Sequence, residues 1–390
     1  MDYKNNNEAQ VSIPLSFMSL DPYLERVIVE PTEKVMAGRD WVQWGDRNQY
    51  PHYIIDLYKT VTTLRSIING VVDYVAGDVV SLNAPAPYGE NYFNAKGDTA
   101  EDIVRKTAKS IAETGGYAWQ IIRRKDGKGL AEMYVLPMEN IRSNEDNTVF
   151  YYSEKWAKSG MSPVLIYPKW MKDARTVTSV QTKNGEKEEK DNLDSVFYFK
   201  MWGEGVYPEP LYAASIKDCE IERGIDEYHL GNLERGFMAS YIINFNNGQP
   251  SDEIKKQIEK AMNDKFGGKR NAGRIVYSWN KSLQSKTTVE KIETSDFAEK
   301  YAALSKHARQ QLFTAFRANP NLFGIPTENL GFSSEEYESA FKLFNRTTVR
   351  PIQKAILRGF DKVLDMSDSV TIKPFTLEGE KEDTVRGEEA

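Results

Sequence analysis

Cysteine is almost absent from this 390-residue sequence: Cys219 stands alone, so no intrachain disulfide framework and no cysteine-rich zinc site can be built. Histidine is nearly as scarce, and His52, His229 and His307 lie far apart with no metal-ligand spacing among them. No stretch approaches the roughly 20 apolar residues that a membrane helix needs. The opening MDYKNNNEAQ is polar and carries acid, unlike a signal or transit peptide, so synthesis in the cytosol is expected. A Walker A loop, a dinucleotide fingerprint and a nucleophile elbow are all missing. The segment FGGKRNAG (266–273) lacks P-loop spacing and reads as a turn between a helix and a strand. These absences lead us to expect a protein without catalytic residues, cofactor or metal. Acids are plentiful, however, and spacing alone does not dismiss a glycosidase-type carboxylate pair, so an enzyme of that kind stays as an alternative.

What is present is the composition of a globular chain, with 40% hydrophobic and 28% charged residues. The net charge of −6 speaks against a broad basic face that grips nucleic acid. It allows DNA as a partner that slides past without sticking. The many aromatics (21 Tyr, 17 Phe, 7 Trp) suit either a well-filled core or large subunit contacts.

Hydrophobic spacing divides the chain. Residues 1–49 read as irregular. Ile54, Leu57, Val61, Leu64, Ile68, Val71 and Val75 recur at helical steps up to Gly77, predicting one helix. A second helix is expected from Asp98, with Glu101 as its capping-box partner, to Gly115-Gly116. Strand-like runs follow at Tyr117–Arg124, Leu130–Leu136, Thr148–Tyr152, Val164–Tyr167 and Val196–Met201, with a charged hairpin or loop (TKNGEKEEKDN) before the last. Residues 208–240 read as a long helix, ~45 Å at 1.5 Å per residue. An insert of strand, helix and strand follows (Ile242–Phe245, Asp252–Phe266, Arg274–Trp279), and then a helix from Ser295 to about Ala318. A loop rich in proline and glycine precedes a final helix, which opens with Ser333 and Glu336 and passes Pro351 towards Leu364. One strand is expected at Val370–Phe375, and the charged tail closes the chain.

The long helix 208–240 has an unusual wheel. Ile221, Ile225 and Tyr228 fall on one flank, with Cys219, Leu230, Leu233 and Phe237 nearly opposite. Asp218, Glu222 and Asp226 form one acidic stripe between them, and Glu220, Glu227 and Glu234 form another. Like charges four residues apart disfavour an isolated helix, so these carboxylates are expected to face water. The pattern fits a helix wedged between two others of its own subunit, which is the simpler arrangement. It also fits a barrel of helices with one acidic face lining a lumen. The helix from Ser295 carries Lys300, Lys306, Arg309 and Arg317 on its polar side, opposite in sign and able to pair with those acids. The insert is basic, with nine Lys or Arg against five acids over 240–290; it reads as a solvated helix face or a docking surface.

Four stretches, in this order and spacing, resemble the portal family of long-tailed bacteriophages and prophages. They are TGGYAWQIIRRKDGKGLAEMYVLPMENI, VFYFKMWGEGVYPEPLYAASIKDCEIERGIDEYHLGNLERGF, SDEIKKQIEKAMNDKFGGKRNAGRIVYS and LFGIPTENLGFSSEEYESAFKLFNRTTVRPIQKAI. The last is similar to the family's F-G-[IV]-P-x-x-L-G loop and the proline-interrupted helix after it. The resemblance spans roughly 50–366 and implies an α+β portal fold. Its parts would be a mixed α/β wing (50–207), a stem of two helices (208–240 and 292–318) and a small α/β clip (241–291). A tunnel loop (319–334), a long kinked C-terminal wing and crown helix (335–366), and a terminal strand and charged tail (367–390) would complete it. Only 24 residues follow Met366, so the resemblance leads us to expect a minimal crown.

The resemblance further implies a ring of about twelve copies at one capsid vertex, through which double-stranded DNA passes without sequence recognition. Terminase, a head–tail connector and the major capsid protein would be its partners, and the virion its place. The stem acids Asp218, Glu220, Glu222, Asp226, Glu227 and Glu234 would line the channel. Asn319, Asn321, Phe323, Ile325, Thr327, Glu328 and Asn329 would form the tunnel loop. Lys255, Lys256, Lys260, Lys265, Lys269 and Arg270 would dock the motor or adaptor. Another head–tail adaptor or a minor capsid protein is the alternative.

Overall fold

The apolar stripe from Ile54 to Val75 is real, but it belongs to two helices, α1 (Tyr50–Thr60) and α2 (Thr62–Ala76). Val61 between them is extended, with φ −98 and ψ 112. Three threonines surround it, at 60, 62 and 63, and β-branched residues tolerate extended backbone well. Hydrogen bonds still span the break: the Val61 amide donates to Leu57, its carbonyl accepts from Arg65, and the Thr63 amide turns to the Glu222 carboxylate. The computed structural model describes residues 28–35, 40–126, 129–156, 165–172, 177–181, 187–191, 193–234, 241–245, 251–257, 275–279, 295–325 and 334–376.

The fold is α+β. Before α1 come β1 (Glu33–Val35) and β2 (Val42–Trp44), an antiparallel pair. After α2 comes β3 (Val79–Leu82), then α3 (Ala100–Thr114). The N-cap of α3 is Thr99, reciprocally boxed with Asp102, one residue later than Asp98 and Glu101. Asp98 instead accepts from Asn94 and Lys106. Gly115 closes α3 at φ 87, and a Cβ there would meet the Glu209 carbonyl at 1.9 Å, so only glycine fits.

Strands β4 (Gly116–Arg123), β5 (Leu130–Leu136), β6 (Ile141–Ser143), β7 (Val149–Tyr152), β8 (Leu165–Pro168), β9 (Val177–Gln181), β10 (Lys187–Asp191) and β11 (Asp194–Lys200) follow. They form a β11–β4–β5 sheet, a β6–β7–β8 sheet and the β9–β10 hairpin, all antiparallel. One face of β11–β4–β5 packs on helices. The Trp119 indole donates to Thr107 of α3 at 2.8 Å and its ring lies 4.9 Å from Phe360. Arg142 on β6 is fully buried, with no carboxylate in ion-pair contact among the described residues. It donates to the Asn48 side chain and to the carbonyls of Asn48, Glu139 and Ile141, and lies over Trp44 and Trp156. Burial lowers its pKa to about 10, and the carbonyl cage ties residues 41–50 to the β6–β7–β8 sheet.

Past a turn at 208–215 the chain enters α4 (Ile216–Glu234), which starts eight residues after the expected Pro208. Then come β12 (Tyr241–Phe245), α5 (252–257), β13 (Ile275–Trp279) and α6 (Ser295–Ala315). The insert is a βαβ unit, because β12 and β13 pair in parallel, Tyr241 to Ile275 through Phe245 to Trp279. Helices α7 (Ser334–Phe344) and α8 (Arg350–Leu364) sandwich a π-helical turn at Asn345–Val349. Pro351 has no N–H to give, and this wide turn sets it in the first turn of α8, where none is needed. Finally β14 (Val370–Lys373) pairs antiparallel with β3.

Candidate functional site

Helices α4 and α6 pack against each other, and the insert lies between them in the sequence. Ser215 donates to the Gln311 carbonyl at 3.4 Å near one end of the pair, and the Tyr228 and Tyr301 rings lie 4.9 Å apart further out. The sequence numbers rise along one helix as they fall along the other, so α4 and α6 run antiparallel. Tyr228, Leu230 and Leu304 on this pair are 43%, 57% and 44% exposed.

At the root of α4 two acids turn inward. Glu222 is only 4% exposed, and its Oε1 accepts from the Thr63 hydroxyl at 2.8 Å and the Thr63 amide at 3.3 Å. Its Oε2 has no hydrogen-bond partner among the described residues. Glu220 accepts from the Tyr53 hydroxyl at 2.6 Å and pairs with Arg223, whose guanidinium also reaches Asp56 at 3.1 Å. Arg223 is itself buried. This corrects the expectation that both acidic stripes face water: the Glu222 carboxylate is buried and Glu220 is largely covered. The physical reason is a network in α1 and α2, some 160 residues upstream, with hydroxyls and a shared cation that satisfy buried carboxylates better than a second helix would. Asp226 and Glu227 are exposed and Asp218 is partly so; the Glu234 side chain lies outside the described residues. Beside the acids Cys219 is buried, and burial pushes its thiol up, which makes it inert.

The loop after α6 is also packed. Pro320–Phe323 forms a 3-10 turn capped by the Asn319 side chain, which accepts from the Asn321 amide. The Tyr74 hydroxyl donates to the Leu322 carbonyl at 2.9 Å. Phe323 sits among Phe313 (5.6 Å), Phe344 (5.7 Å) and Tyr74 (6.0 Å), and its ring lies where a Cβ on Gly70 would be, 2.4 Å away. Phe323 and Ile325 are therefore partly buried and packed against the core. An aromatic after two loop residues found an aromatic cluster and took the burial available to it. Thr327, Glu328 and Asn329 lie outside the described residues.

In the insert Lys255 pairs with Asp252 at 3.0 Å, one helical turn away, while Lys256 is exposed. Lys260, Lys265, Lys269 and Arg270 lie outside the described residues. Among the described residues no group of acids, histidines or cysteine has the arrangement of a metal site, and no helix is long and apolar enough to cross a membrane.

Solved structures similar to the chain include particle-neck assemblies and a phage portal protein. One is the neck of a native GTA particle computed with C12 symmetry, at 16% identity and TM-score 0.47, covering 83% of this chain and 84% of that one. Another is the neck of an empty GTA particle computed with C6 symmetry, at 16% identity and TM-score 0.48, covering 87% and 85%. A third is an HK97 family phage portal protein from Corynebacterium diphtheriae, at 12% identity and TM-score 0.46, covering 81% and 92%. No protein-family model matches the chain. No curated protein matches it in sequence.

Of the expected site residues, then, the structure brings Glu220 and Glu222 together at the helix root and leaves Asp226 and Glu227 exposed. The residues that sequence reasoning missed are Tyr53, Asp56, Thr63 and Arg223. One signal was available: Arg223 is the sole base between Asp218 and Glu227, and a lone cation in an acidic run invites a buried ion pair.

Proposed function

We propose that the chain is the portal subunit of a tailed bacteriophage: a structural protein without chemistry of its own, forming a ring that double-stranded DNA crosses during packaging and ejection. The observation that carries this reading is the helix pair α4–α6, rooted in the wing by Glu220, Glu222 and Arg223 and exposing Tyr228, Leu230 and Leu304 on its flanks. A monomer gains nothing by leaving such side chains in water, whereas a neighbouring copy covers them. The four family-like stretches of sequence map onto the β4–β5 hairpin, the root and shaft of α4, the insert, and the α6–α8 connection. They support the same assignment.

In this reading Asp226, Glu227 and Glu234, and in part Asp218, give the channel its negative charge. An acidic lumen releases no counterions from DNA and so does not hold it. The insert 241–291, with its excess of bases, docks terminase and later the head–tail connector through an acidic surface on the partner. The ring number expected is twelve. Negative-stain images and native mass of the full chain, alone and co-expressed with its capsid protein, test the assignment. A ring with a central hole is the expected result; a monomer under both conditions overturns it.

A further inference from the structure

A groove of about 420 Å³ opens between α8 and the part of the β11–β4 face that α8 leaves uncovered. Tyr117, Phe197, Phe199 and Met201 make an apolar floor. Gly359 holds the helix against that floor, since a Cβ there would meet the Tyr117 hydroxyl at 2.5 Å. The rim is cationic. Lys354, Arg358 and Lys362 all line the groove and are exposed, and none of them has an ion-pair partner among the described residues. Their spacing of four residues places successive cations ~6 Å apart along one side of the helix. Phosphates would suit the rim but not the aromatic floor. An acidic peptide with an occasional apolar side chain suits both.

Such a segment closes this chain. Residues 377–390 hold six acids, Glu378, Glu380, Glu382, Asp383, Glu388 and Glu389, against Lys381 and Arg386. In an extended chain alternate side chains repeat every ~6.7 Å on one face, so Glu378, Glu380 and Glu382 match the step of the three cations. The segment also starts close by. Thr376 donates to Asp78, just past the end of α2, and Gln353 in the first turn of α8 donates to the Val75 carbonyl at 3.0 Å. Fourteen further residues reach up to ~46 Å, ample to cross a helix of ~10 Å diameter.

We propose that the acidic segment 378–389 seats in this groove of its own chain, its carboxylates pairing with Lys354, Arg358 and Lys362 and Val385 lying on the aromatic floor. This seat holds whether or not the chain is a portal. Zero-length carbodiimide coupling of the full chain, mixed from light and isotopically heavy protein, tests it first. Cross-links from Lys354 or Lys362 to the tail acids, within one isotope label, are expected. Trypsin tests it independently, because Lys381 and Arg386 are cleavage sites in the tail. A K354S/R358S/K362S variant should be cut there about fivefold faster or more at low salt, and the wild type should approach that rate in 1 M salt, where the Debye length falls to about 3 Å. An unchanged unfolding midpoint shows that the variant is folded; if it is not, the cross-linking of the wild type decides. Absence of tail cross-links or equal cleavage rates overturns the seat. Cross-links only between differently labelled chains overturn it too, and put the tail on a second copy.

Discussion

The Thr63 hydroxyl donates to Glu222 Oε1 at 2.8 Å across 159 residues of sequence, fastening the first turn of α2 to the root of α4. The carboxylate is buried and its second oxygen has no partner among the described residues, so the bond from Thr63 is much of what offsets its desolvation. Replacing Thr63 by valine keeps the shape and leaves the acid undersatisfied. We expect a loss of about 1–3 kcal/mol in T63V, read as a lowered midpoint in urea with an unchanged slope. Glu222→Leu in the T63V background should recover part of it, since an apolar pair of similar size needs no hydrogen bond. A T63V chain as stable as the wild type would show that water already satisfies Glu222.

The buried Glu113 near the end of α3 makes stability depend on pH. Its pKa is pushed from 4.5 up to about 7 by burial, against the pull of Lys109 3.6 Å away. Between pH 4.5 and 7 the native chain holds a proton that the unfolded chain has released. Stability therefore falls as pH rises through that window and levels off above it. Glu113→Gln should remove this slope, stabilising the protein at pH 8 by about 2–3 kcal/mol while changing little at pH 4.5. His52 slopes the other way: burial holds it near pKa 4, so stability drains as pH falls from 6.5 towards 4. Denaturant titrations at pH 4.5, 6 and 8 measure both, and parallel curves for wild type and E113Q would refute the first.

Phe323 fills the space over Gly70 as part of the aromatic cluster with Tyr74, Phe313 and Phe344. Phe323→Ala should cost about 2–4 kcal/mol, and Gly70→Val should cost a similar amount by overpacking. The pair of substitutions should be less than additive, because the smaller ring site makes room for the added side chain. Thermal unfolding of the two single variants and the double variant checks this. Full additivity would mean that the ring does not rest on Gly70.

Much of this architecture is legible in sequence where a periodic stripe meets a terminator. The α3 stripe ending at Gly115, the α6 stripe through Leu312 and Phe316, and the β4–β5 pair are of this kind. The break at Val61 is not, because Val61 stays on the buried stripe and keeps its own amide and carbonyl bonded across the turn. Strand β3 is too short to announce itself and exists through its pairing with β14, nearly 300 residues on. The directions of the α4 acids escape the sequence for a third reason. A wheel places Glu220 and Glu227 on the same stripe, but Glu220 is covered where it meets Tyr53 and Arg223 while Glu227 is exposed, and that difference comes from tertiary packing that no local pattern encodes.

Leu230 and Leu304 put the ring to its sharpest test. Each is about half exposed on the α4–α6 pair, so covering it with a neighbour contributes about 1 kcal/mol at 25 cal/mol per Å². Two such residues at one contact amount to about 2 kcal/mol, or roughly 30-fold in the association constant of that contact. L230S/L304S should then unfold at the wild-type midpoint, since neither residue is in the core, yet shift from ring to monomer at concentrations where the wild type stays assembled. Mass photometry across a dilution series reads the shift directly. The exposed acids separate lumen from interface in the same assay. Asp226→Asn with Glu227→Gln should leave the ring intact and slow DNA passage, because removing negative charge lets the polyanion linger against the wall. If those two changes dissociate the ring while the leucine pair does not, the faces are reversed and the apolar flank of α4 looks into the channel.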